Sequence, residues 1–191
     1  MFNQPEIIDD ENLVHKTHYE NGQLKEQFVL LDGKLHGTYL YYDKSGHLRT
    51  RLNFLSAVLY GTSYYFNSAG ELVQKAQYKD GKLHGRMCVY ENNGLQLVAQ
   101  YKNNLKNGIL TIVNAKKQVI CRQPFVEDKL QGISNFFGEQ GNLVQLAEYE
   151  KGLLHGKLIY YNKEGKEISH QLFEHGEPVN NNEGSSDDHT G

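Results

Sequence analysis

The chain has no tryptophan, only three prolines, two cysteines and two methionines in 191 residues. Cys88 and Cys121 are too few for the disulfide framework of a small secreted fold, and they read as free thiols of a reducing compartment. Nowhere do 18 apolar residues follow one another, which excludes a membrane-spanning helix. The opening MFNQPEIIDDENLVHK is acidic and lacks the apolar stretch of a secretory signal, so a cytoplasmic protein is expected. A strong charge is missing as well. Glu6, Asp9, Asp10 and Glu11 against Lys16 leave residues 1–16 at −3, and Glu177, Glu183, Asp187 and Asp188 leave 177–191 at −4. With a total of −3, the body between them is only +4, with no basic block to track a phosphate backbone, and nucleic acid is not an expected partner.

What is present is repetition. Glycines 37, 61, 85, 108, 132 and 156 recur at steps of 24, 24, 23, 24 and 24 residues. Nine residues after each stands Gly46, Gly70, Gly94, Lys117, Gly141 or Gly165, and one residue missing after Gly94 accounts for the short step. A fixed period of this kind means one supersecondary unit stacked on itself. Thirteen tyrosines and eight phenylalanines favour strands over helices.

Within one period, GRMCVY (85–90) reads as a strand, ENNG as a turn, LQLVAQY (95–101) as a second strand and KNNLKNG (102–108) as a longer turn into the next copy. The same syntax predicts an all-β, elongated, single-layer antiparallel β-hairpin solenoid of about 13 short strands. Six full copies and a partial N-terminal one occupy residues 19–177. Residues 1–18 are expected as an N-terminal arm and 178–191 as a disordered acidic tail. At about 4.8 Å per strand the ribbon is on the order of 60 Å long.

Alternation assigns faces. Leu52 and Phe54, Ala76 and Tyr78, Ala99 and Tyr101, Cys121 and Phe125, and Ala147 and Tyr149 share one side, whereas Arg49, Arg51, Lys75 and Gln77 point to the other. The first strands carry adjacent large residues that must point oppositely. One column holds Tyr41, Tyr65, Phe136 and Tyr160; the next holds Tyr42, Phe66, Tyr90, Phe137 and Tyr161. One of these columns is the candidate partner-binding surface, with tyrosines as anchors.

YKDGKLHGRMCVYENNG (78–94) and YEKGLLHGKLIYYNKEG (149–165) resemble the Y-x-x-G-x-x-H-G…Y…N-G unit of MORN repeats, most closely the variant repeats of bacterial YwqK-like antitoxin proteins. The resemblance spans about residues 19–177. It implies a twisted hairpin ribbon that binds another protein, with a toxin or secreted effector as the expected partner and this chain as its antitoxin, immunity protein or adaptor. The alternative it implies is a phospholipid-associated or scaffolding protein, although Arg49, Arg51, Lys75 and Arg122 look scattered for that role. FLSAVLYG (54–61), YKNNLKNG (101–108), FVEDKLQG (125–132) and NAKKQ (114–118) depart from the unit, so the particular partner is sought first around residues 101–132.

No catalytic, cofactor or metal site is expected. His36 and His84, before key glycines, lie four strands or about 19 Å apart, whereas zinc ligands converge within about 2.1 Å of one ion. His15 and His18 are expected on a solvated arm. Cys88 and Cys121 fit alternating strands as small core residues. Self-association through an open edge strand is the remaining expectation.

Overall fold

The computed structural model describes residues 14–179. The first hairpin joins β1 (Val14–His18) to β2 (Leu24–Leu31). The next repeats contribute β3 (Lys34–Leu35), β4 (Gly37–Tyr42) and β5 (Leu48–Leu55), then β6 (Val58–Leu59), β7 (Gly61–Phe66) and β8 (Leu72–Lys79). In the middle run β9 (Lys82–Tyr90), β10 (Gln96–Lys102), β11 (Leu105–Lys106), β12 (Gly108–Val113) and β13 (Val119–Val126). The chain closes with β14 (Lys129–Leu130), β15 (Gly132–Phe137), β16 (Leu143–Glu150), β17 (Leu153–Tyr161), β18 (Glu167–Glu174) and β19 (Glu177–Pro178). All belong to one antiparallel sheet in which pairing follows chain order. The described residues form no helix.

Nineteen strands replace the expected thirteen for a local reason. Four are two-residue pieces (β3, β6, β11 and β14) cut from a first arm by a bulge, and the other two are β1 and β19. Residues 14–18, expected within the arm, are β1 because the Gly22 turn repeats the Gly46 turn 24 residues early. Pro178, expected in the tail, pairs with Phe173, and residues 180–191 lie outside the described residues.

Two turn chemistries alternate. At Asp43–Gly46 the Gly46 N–H donates to the Asp43 carbonyl (3.0 Å) and the Asp43 N–H to that of His47 (2.9 Å), with Gly46 at φ 84°. This is a type I turn closed by a left-handed residue. Asp43 Oδ1 accepts from the N–H groups of Ser45 and His47, and Asn67, Asn114 and Asn162 repeat the arrangement. The opposite end of each arm reverses in two residues, both at positive φ, such as Asp32 (50°) and Gly33 (72°). That is a type I′ turn, whose twist suits a hairpin. The irregular copies keep it with Ser56–Ala57, Asn103–Asn104 and Glu127–Asp128.

The long Gly-rich turn expected between copies is therefore only two residues. The recurrent Gly85 lies inside an arm: Tyr78 pairs with Leu83 but Ala76 with Met87, a register step of two residues. These glycines form bulges rather than turns. A second, one-residue bulge follows most type I turns, as between Tyr65–Gln74 and Phe66–Leu72. The β9–β10 hairpin lacks it and pairs without a shift from Tyr90–Gln96 to Gly85–Tyr101. The residue missing after Gly94 is thus the bulge residue.

Save for Ile159 (8% exposed), which is buried on the reverse, the core lies on one face of the sheet. Its central row holds Ser63, Ala76, Ala99, Ser134 and Ala147, each 0–1% exposed, beside Met87 and Leu158. Residues this short are covered in a single layer only because taller rows on both sides close over them. One is the aromatic ladder Phe54, Tyr78, Tyr101, Phe125, Tyr149 and Phe173, and the other runs through Tyr41, Tyr65 and Phe136. We call this the ladder face and its reverse the arginine face.

Candidate functional site

The expected tyrosine columns fall on different faces. Tyr41, Thr50, Tyr65, Gln74, Val89, Leu97, Ile112, Cys121, Phe136, Gln145 and Tyr160 are successive cross-strand neighbours, so the first column lies in one row of the ladder face. The hydroxyls of Tyr41 and Tyr65 are engaged within the sheet. Tyr19 donates its one hydroxyl proton to the Tyr42 carbonyl (2.8 Å) and accepts from Tyr41 Oη (3.1 Å), and Tyr65 Oη is 3.3 Å from Tyr78 Oη. The bond to Tyr41 pushes Tyr19 up to about 12, and burial, with the Tyr78 bond, pushes Tyr65 up further. Phe136 is half-buried; Tyr160 alone of the four is exposed, at 41%. Tyr42, Tyr90 and Tyr161 lie at the type I turn end, half-buried, opposite Leu48, Gln96 and Glu167.

The arginine face carries a different surface. Gln27, Leu40, Arg51, Tyr64, Lys75, Cys88, Val98, Thr111, Arg122, Asn135, Leu146 and Ile159 are successive neighbours in its central row. Side chains that look scattered in sequence thus share one row, with Arg86 in the next. Arg49 is engaged instead, donating to the Phe66 carbonyl (3.1 Å) and lying 3.6 Å from Asp43.

Farther along the same face stand Ile109, paired with Pro124, and Ile133. Ile109 is 44% exposed and Ile133 48%, flanked by Leu105, Val126 and Leu153 at 40–50%. The corresponding positions of other copies are Thr38, Thr62, Arg86 and Lys157 for the isoleucines, and Asn53, Gln77, Gln100, Glu148 and Leu172 for the proline, polar in all but the last. There the polar side chain serves the bulge: Gln77 Oε1 accepts from the Arg86 N–H (2.6 Å), and Glu148 Oε2 from the Lys157 N–H (3.0 Å). Pro124 has no such acceptor, and its ring faces Gly132 instead. These residues escape a reading by alternation alone. Aligning copies and asking which outward positions lose polarity would have found them.

The histidines remain local. His84 Nδ1 lies 3.3 Å from Asn103 Oδ1, and the His155 ring is tilted 41° to that of His175 at 5.1 Å, with its Nε2 3.6 Å from Glu150. His15, expected on a solvated arm, stacks on Phe28 at 5.4 Å. Among the described residues, no three His, Cys, Asp or Glu side chains converge as metal ligands. Cys121 is buried, and that burial pushes its thiol up, away from the reactive thiolate.

No curated protein matches the chain. The family model described as MORN repeat variant matches residues 11–29 and 35–55, two segments that begin 24 residues apart and contain the Gly22 and Gly46 turns. The later hairpins repeat the turns and registers of those two across the sheet. Residues 11–29 and 35–55 are thus similar to the MORN repeat variant.

Proposed function

We propose that this protein is a non-catalytic binding module that holds a partner protein against its arginine face. The patch formed by exposed Ile109 and Ile133 on either side of half-buried Pro124 carries the reading. Isoleucines left about half in water at positions where sister copies carry Thr, Arg or Lys are not required by the sheet. Covering one such chain yields about 1–2 kcal/mol. Grouped apolar side chains of this kind mark protein interfaces.

The more specific reading is an antitoxin, immunity protein or adaptor that covers the working surface of a toxin or secreted effector. It rests on the resemblance of the repeats, and a rigid ribbon suits occlusion. A phospholipid-associated or scaffolding role is the second reading, favoured by the cations that register gathers on one face.

Affinity capture from the source cells with three baits tests the reading. Wild type and a Tyr41→Ala, Tyr65→Ala, Tyr160→Ala variant should retain the same protein, whereas Ile109→Asp with Ile133→Asp should lose it at unchanged circular dichroism. Loss with the tyrosine variant alone would move the interface to the ladder face. Flotation with anionic liposomes, if strong and abolished by reversing the cations, would put the second reading first.

A further inference from the structure

We propose that the arginine face takes an acidic, extended segment of the partner protein across Arg51, Tyr64, Lys75 and Arg86, a proposal that rests on the protein-binding reading above. The Arg51 guanidinium carbon lies 5.8 Å from the centre of the Tyr64 ring and Lys75 Nζ 5.6 Å from it. The ring therefore holds two cations as neighbours on adjacent strands. Arg86 stands one strand beyond Lys75, in the next row. None of Arg51, Lys75 and Arg86 has an ion-pair partner among the described residues. The side chains between and beside them (Thr62, Gln77 and Cys88) are uncharged. Three unpaired cations held together invite carboxylates.

The whole face distinguishes a protein segment from a membrane. Its C-terminal end carries Glu148, Glu150, Glu174 and Glu177 against Lys157. Glu150 is paired with Lys151 (3.1 Å), and Glu174 and Glu177 face each other across the final turn, with no basic partner among the described residues. A uniformly anionic bilayer laid along the ribbon would meet attraction at one end and repulsion at the other. A partner chain needs acidity only where it crosses β5–β9. From Tyr64 to Arg122, two residues before Pro124 on β13, are five strand spacings, or about 24 Å. About seven extended residues cover that span. The partner signature is thus an acidic run followed, some seven residues on, by an apolar anchor seated on Ile109 and Ile133.

The probe is a fluorescein-labelled peptide of eight alternating glutamates and aspartates, titrated into the full chain by anisotropy at 50 and 150 mM salt. Binding should weaken with salt and fall at least tenfold in Arg51→Glu/Lys75→Glu/Arg86→Glu. Lys163→Glu/Lys166→Glu, at a distant turn, should change it less than twofold. If the triple reversal unfolds the sheet, Arg51→Gln/Lys75→Gln should still weaken binding about threefold. Equal binding by the folded variants, or strong binding to phosphatidylserine vesicles or a DNA oligonucleotide without binding to the peptide, would overturn the proposal. If the peptide fails while capture still depends on Ile109 and Ile133, the acidic segment falls and the protein-binding reading stands. If capture also ignores the isoleucines, both fall.

Discussion

The hairpin from β7 to β8 and the one from β12 to β13 are built on the same register and present opposite surfaces. In the first, Thr62 pairs with Gln77 and Tyr64 with Lys75 on the arginine face. In the second, Ile109 pairs with Pro124 and Thr111 with Arg122. On the ladder face both obey the same rule: Ser63 and Ala76 are buried in one, Leu110 and Cys121 in the other. The fold therefore constrains one face and two kinds of turn, and leaves the arginine face free to specialise. Gln77 shows where these demands meet, because its amide secures the next bulge, whereas Pro124 gives up that bond to leave an apolar surface.

The difference between the faces is broken most strongly from the ladder side. Ala147 is fully buried against Ser134 and Leu158. Ala147→Leu should cost about 2–3 kcal/mol by overpacking, lowering Tm by roughly 4–10 °C. Leucine in place of Thr62 should stay within about 0.5 kcal/mol. Scanning calorimetry compares them, and equal effects would erase the asymmetry.

Next come the turns. Lys117 holds the left-handed conformation (φ 65°) that glycine holds in the other type I turns, and Ala57 does so (φ 67°) in a type I′ turn. Each Gly replacement should stabilise by about 1 kcal/mol, seen as a higher denaturant midpoint. No gain would mean that local contacts already relieve the strain.

Pro124→Gln sharpens the comparison by making a middle copy regular. The restored acceptor should add about 0.5–1 kcal/mol of stability while weakening partner capture. Stability gained with capture unchanged would separate the proline from the patch.

The smallest effect belongs to the tyrosine hydroxyls. Tyr65→Phe should cost about 0.5–1 kcal/mol through the lost bond to Tyr78. Burial, then the hydrogen bond to Glu26, pushes Tyr39 up to about 12, as the Tyr41 bond does Tyr19. A raised pKa favours the neutral phenol in the folded state, so this stabilisation is complete below pH 10 and is lost as the pH climbs towards 12. Tyrosinate absorbance at 295 nm should show these late tyrosines ionising together with loss of structure. A single transition near pH 10 in the folded protein would contradict it.

The repeat, the antiparallel arms and the ladder were legible because glycine spacing and period-two alternation report backbone directly. The location of the reversals was less so. Glycine serves a bulge as readily as a turn, and Asn103–Asn104 or Glu127–Asp128 can take positive φ without it. The faces of Tyr41 and Tyr42 needed the turn registers, since one bulge residue inverts the parity of the strand beyond it. The convergence of Arg51, Lys75 and Arg86 was hidden for the same reason: their neighbourhood is a row across strands, and a row has no sequence distance.

The hairpin without its bulge residue shows how this chain keeps its place. One residue is gone between Gly94 and Asn104, yet Ile112 and Cys121 pair on the ladder face as Tyr41 and Thr50 do three copies earlier. The deletion is absorbed between two landmarks and is not passed on, because each copy resets its own phase at the next two-residue turn. Such a chain can gain or shed whole 24-residue cassettes at those seams without renumbering its interior, so the length of the ribbon can be matched to a partner independently of the residues that grip it.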